Sequence, residues 1–135
     1  MARVKLAEIA FARSGDKGDR SDLGVFAPAG PYVEQVYEVL KAEVTADRVK
    51  ELFGEFVLGE VTRYEVDNIH ALKFVMEQAL GGGGPRSLRA DNLGKAFGGA
   101  VQRLEIEVPD ELLAALGPRP QPAPDPYATS TWVTR

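Results

Sequence analysis

Three stretches of this 135-residue chain hold the residue types that do chemistry. The first is Arg13-Ser14-Gly15-Asp16-Lys17-Gly18-Asp19-Arg20-Ser21-Asp22. Gly15 and Gly18 let the backbone turn with its N–H groups outward, and Arg13 and Lys17 add positive charge. Such a nest suits a phosphate or a carboxylate. Two other readings stay open: Asp16, Asp19 and Asp22 holding a hard cation, or a polar hairpin loop whose charges pair among themselves. The i, i+3, i+6 spacing of the aspartates does not match a calcium loop, which uses alternate positions.

The second stretch is Leu80-Gly81-Gly82-Gly83-Gly84-Pro85-Arg86-Ser87-Leu88-Arg89-Ala90-Asp91. Consecutive glycines are costly to order and permit close backbone approach to a ligand or a subunit. Arg86 and Arg89 can make bidentate contacts with phosphate or carboxylate. The run is not a Walker loop, because no Ser or Thr follows Lys95. It is not a dinucleotide fingerprint, because no strand is expected before it. The plain alternative is a flexible connection or a tight helix exit.

The third stretch is Asp67-Asn68-Ile69-His70, which holds the one histidine. With Asp67 as a helix cap, His70 falls in the first turn, where the helix dipole favours neutral imidazole. His70, Lys73, Phe74 and Glu77 would then share a face. A lone exposed histidine usually has no chemical role, and no serine–histidine–acid triad can be assembled around this one.

The elements that must position these stretches follow from periodicity. Val4 to Ala12 reads as a strand, Arg13 to Asp22 as a loop, and Leu23 to Ala27 as a second strand ended by Pro28. Pro31 opens a helix with the stripe Val33, Val36, Tyr37 and Leu40. Thr45 caps a second helix with Val49, Leu52 and Phe53 inward. Gly59 to Val66 reads as a third strand. Asp67 then caps a third helix with Ile69, Leu72, Val75, Met76, Ala79 and Leu80 inward, stopped by Gly81. Asp91 to Ala100 is expected to form one short helix. Leu104 to Val108 is the last strand, and Asp110 to Leu116 a helical turn. The expected class is α+β of the ferredoxin-like kind: a mostly antiparallel sheet of about four strands with helices on one face. The domain spans 1–116. An extended proline-rich tail spans 117–135, and its Tyr127 and Trp132 suggest docking in cis or in trans.

Composition bounds the function. Without cysteine there is no disulfide scaffold, thiol nucleophile or Cys-ligated zinc. A net charge of −4 argues against a nucleic-acid binder. No apolar run is long enough to span a membrane, and no signal-like stretch opens the chain. The expectation is a cytoplasmic protein with no metal and no cofactor assigned. One histidine and no cysteine make a poor complete catalytic kit.

The three stretches, in this order, resemble the AtuA-like ferredoxin-fold domain family, named for a protein of bacterial acyclic terpene utilisation. The similarity lies in Ala12 to Gly18, Gly24-Val25, Asn68-Ile69-His70-Ala71-Leu72, Ala79 to Gly83 and Ser87 to Lys95. It covers roughly residues 4 to 108. In the family the domain often follows a larger one in the same chain, so the resemblance implies a separate large AtuA-like subunit or an independent role. It also implies an acyl-CoA or carboxylic acid ligand. Asp22 stands where the family is expected to favour Asn. On these grounds Arg13, Ser14, Gly15, Lys17, Gly18, Asn68, Gly82, Gly83, Ser87, Arg89 and Lys95 are candidate ligand-binding residues. His70, Asp16 and Asp91 are candidates for proton exchange. The combined expectation is an accessory or ligand-binding subunit, homo-oligomeric, in which the two glycine loops and the Asp67 segment converge on one anion. A self-sufficient hydratase or hydrolase using His70 with an Asp, and a purely structural oligomerisation module, are the alternatives.

Overall fold

The computed structural model describes residues 1–85, 87–91 and 93–118. Arg86, Asn92 and the segment 119–135 with Tyr127 and Trp132 lie outside the described residues. Strand β1 (Ala2–Lys5) pairs antiparallel with β6 (Glu105–Val108) in a small two-stranded sheet. The main sheet has four antiparallel strands, in the spatial order β2 (Phe11–Lys17), β3 (Arg20–Phe26), β5 (Ala71–Met76) and β4 (Val61–Val66). Helices α1 (Val33–Glu43) and α2 (Ala46–Phe53) lie between β3 and β4; α3 (Phe97–Val101) precedes β6, and α4 (Asp110–Leu116) follows it. Among the described residues no helix is long and apolar enough to cross a membrane.

One face of the main sheet supplies the core. Leu23, Val25, Leu72, Phe74 and Met76 are fully buried there, against Val36, Tyr37, Leu40, Val49 and Phe53 from α1 and α2. Each such aliphatic side chain contributes about 1.5–3 kcal/mol by leaving water. Thr45 caps α2 as its position suggests, its hydroxyl oxygen accepting from the Arg48 N–H at 3.2 Å.

Several expected elements change. Val4 to Ala12 is not one strand: a 3-10 turn at Leu6–Glu8 separates β1 from β2. That turn lets Leu6, Ile9 and Ala10 all enter the core, which strict alternation would forbid. Arg13 to Asp22 is not a loop but a hairpin, with partners Arg13↔Gly24, Gly15↔Asp22 and Lys17↔Arg20. Its two-residue turn is Gly18-Asp19, with Gly18 at φ 66°, as primed hairpin turns require. The helix expected after Asp67 is a 3-10 turn (Asp67–Ile69) followed by strand β5. Being central, β5 pairs with both β3 and β4, and Leu72, Phe74 and Met76 alternate inward. The helix-dipole argument for His70 therefore lapses, and Phe74 is core, not a companion of His70. Asp91 to Ala100 is helical only in its last part, as α3.

Candidate functional site

The second face of the main sheet carries no helix among the described residues. Ladder register sets its rows. Phe11, Phe26, Ala71 and Val66 lie side by side, then Arg13, Gly24, Lys73 and Tyr64, then Gly15, Asp22, Val75 and Thr62. A groove of about 490 Å³ runs along this face. Its charged end holds Arg13, Lys17, Lys73 and Lys95 against Asp16 and Asp22. Its apolar end holds Phe26, Val66, Ile69 and Ala71.

Four cations thus face two carboxylates, and two of the cations are committed. The Lys73 ammonium contacts the Asp22 carboxylate, and Lys95 Nζ lies 3.7 Å from Asp16 Oδ1. Arg13 and Lys17 are exposed and have no ion-pair partner among the described residues. Lys95 reaches the groove because its loop is locked onto the hairpin. Asp91 accepts from the Lys95 and Ala96 N–H groups at 2.9 and 3.0 Å, and the Ser14 hydroxyl oxygen accepts from Gly98 N–H at 2.8 Å. Gly94, at φ 67°, passes so near the hairpin that a Cβ there would lie 2.7 Å from Ser21 Oγ.

Arg13, Ser14, Gly15, Asp16, Lys17 and Lys95 therefore come together in the groove. The remaining candidates do not join them. Arg89 donates to the Phe56 and Ala79 carbonyl oxygens at 2.8 and 2.6 Å and lies over the Phe56 ring. It lines a different, apolar cavity beside α2 and α3, together with Asp91. The glycine loop does meet the hairpin, but through an internal anion. The Asp19 carboxylate accepts from the Leu80 and Gly82 N–H groups at 3.1 and 2.7 Å, and a Cβ on Gly83 would lie 3.2 Å from the Gly18 carbonyl. Gly18, Gly82 and Gly83 thus serve this contact. The Ser87 hydroxyl accepts from Arg89 N–H at 3.2 Å.

His70 lies elsewhere again. It closes the turn before β5 in the left-handed region (φ 51°), and its ring meets the Tyr37 ring edge-on at 5.6 Å. It lines a separate groove with Glu34, Tyr37, Glu38, Lys41 and Asp67. Tyr37 is buried and donates to Asp67 Oδ1 at 2.7 Å; burial first, then this bond, pushes its hydroxyl up to about 12. The Glu38 carboxylate beside Lys41 raises that ammonium. Asn68 is exposed in the same turn. His70, Asp16 and Asp91 line three different cavities, so they form no common proton-exchange unit. Among the described residues no group of three or more His, Cys, Asp or Glu side chains could hold a metal ion.

Sequence reasoning missed Lys73 and Phe26 as groove residues. Their signal was the alternation Leu72, Phe74, Met76 against Lys73 and Val75, which the helical reading of the same residues obscured. Among known proteins, no curated protein and no solved structure matches the chain. The AtuA ferredoxin-like domain model matches residues 4–107, a span holding the hairpin, the glycine loop and the whole four-stranded sheet. By that match over most of its length, the chain belongs to the AtuA ferredoxin-like domain family.

Proposed function

We propose that this chain is a ligand-binding accessory subunit that takes an anionic small molecule, an acyl compound or carboxylate, on the open face of its main sheet. The supporting observation is that Arg13 and Lys17 flank the groove without ion-pair partners among the described residues. An exposed cationic pair beside two further ammonium groups favours an anion on Coulombic grounds, and Arg13 can offer its two-pronged donor set. Ser14, Gly15 and Asp91 shape the site and deliver Lys95, and they need not touch the ligand. Arg89 ties its own segment to the Phe56 and Ala79 carbonyls, the glycine loop braces the hairpin through Asp19, and His70 takes no part.

A larger AtuA-like partner fits the same reading. The groove is open along one side, and Tyr64 and Ile69, each 54% exposed, stand on or beside the same face. A second subunit covering that face would seal the ligand from water and strengthen each charge contact.

The test is isothermal titration of the purified chain with butyryl-CoA and with butyrate, alone and with the large subunit added. Arg13→Gln should weaken binding roughly tenfold, the usual weight of one charge-assisted hydrogen bond. Affinity at the wild-type value in both Arg13→Gln and Lys17→Gln would end this reading.

A further inference from the structure

The polarity of the groove is graded along the strands, and the grading names a ligand class. We infer that the site selects a free carboxylate carrying a compact apolar body, with Gly24 and Phe26 setting where that body lies. This rests on the anion-binding reading above.

The charged row Arg13–Gly24–Lys73 is one step along each strand from the row Phe11–Phe26–Ala71–Val66. Two residues along a strand are about 7 Å. A carboxylate held by Arg13 therefore has its body directed over Gly24 onto the Phe26, Ala71, Val66 and Ile69 surface. Gly24 is what makes that surface available. It is buried, and a Cβ on it would lie 2.8 Å from two carbons of the Phe26 ring. The ring thus lies across the bare backbone of Gly24 instead of standing off the sheet. Phe11 stacks on it, with centroids 5.4 Å apart and planes 15° from parallel. This flat aromatic floor would be closed by any side chain at position 24.

Charge also argues for one carboxylate. Lys73 and Lys95 are neutralised by Asp22 and Asp16, leaving Arg13 and Lys17 as the surplus. That surplus matches a ligand of one or two negative charges. The several phosphate charges of a nucleotide carrier exceed it.

The experiment is a 15N-correlation NMR titration of the full chain with sodium acetate and sodium hexanoate at matched ionic strength. Hexanoate should bind at least roughly tenfold more tightly than acetate, since each buried methylene favours association severalfold. Its shifts should extend from Arg13 and Gly15 to Gly24, Phe26 and Ala71. Gly24→Ala should lower the hexanoate-to-acetate affinity ratio toward one. If Gly24→Ala does not fold, Phe26→Leu takes its place with the same expectation. Equal affinities for acetate and hexanoate, both perturbing Arg13, would overturn the apolar-body inference and leave the anion site standing. No response to either acid would overturn the anion site itself, and this inference with it.

Discussion

Arg89 and Asp19 show how differently one residue type reads in sequence and in space. An arginine after four glycines resembles an anion clamp. Here the guanidinium instead caps two backbone carbonyls, and the anion met by the Leu80 and Gly82 N–H groups is the protein's own Asp19. Both are short-range polar bonds across segments far apart in the chain, which no local pattern can reveal. Arg89→Ala should therefore lower stability by about 1 kcal/mol, mainly through loss of the part-buried bond to the Ala79 carbonyl, since water can replace the exposed one to Phe56. Carboxylate affinity should stay at the wild-type value. Urea denaturation beside the titration separates the two effects, and lost affinity in a stable variant would return Arg89 to the site. The residues at the hairpin were legible because their types announce charge around a turn. Lys73 and Phe26 were not, since their value depends on which face of a strand they occupy.

Elements were read well where periodicity was unambiguous. The helical stripe of α1 and the capped start of α2 follow directly from spacing and from Thr45. The segment Ile69 to Leu80 satisfies both a helical and an alternating pattern, and propensity could not decide between them. Tertiary pairing decided: β5 is flanked on both sides, and only an extended chain fills that slot with Leu72, Phe74 and Met76 inward. The polar hairpin defeated the loop rule because its stability comes from the ladder and from Asp19, not from apolar alternation. The turn before β5 is tied to α1 by the Tyr37–Asp67 bond, and this predicts a pH response. The Tyr37 hydroxyl is raised from 10 to about 12 in the folded chain. Between those values the unfolded chain ionises first and holds fewer protons, so stability falls as pH rises through that window. Below pH 10 the contribution is fully present. Denaturation midpoints measured from pH 9 to pH 12 should show the decline, and Tyr37→Phe should flatten it. An undiminished slope in Tyr37→Phe would assign the effect to other groups.

At the scale of the molecule, a positive groove sits on a negative chain, and the two fields act over different distances. The whole chain carries a net charge of −4 while the groove has two more cations than carboxylates. The rest of the sequence therefore bears about six net negative charges, and the described surface away from the groove lies at roughly a molecular radius, about 15 Å, from the ligand. By Coulomb's law, two positive charges at about 5 Å and six negative ones at about 15 Å nearly cancel in water without salt. Salt removes the distant repulsion first, because the screening length falls to about 10 Å at 0.1 M and about 3 Å at 1 M. Carboxylate affinity should therefore rise from about 0.01 M to about 0.1 M ionic strength and fall again toward 1 M. Removing the local surplus, in the double variant Arg13→Gln with Lys17→Gln, should leave only the rise. Titrations at three salt concentrations read this directly. A monotonic fall in the wild-type chain would mean that the groove alone sets the field and that the negative remainder is too distant to act. A monotonic rise would mean that the ligand does not sit among these cations at all.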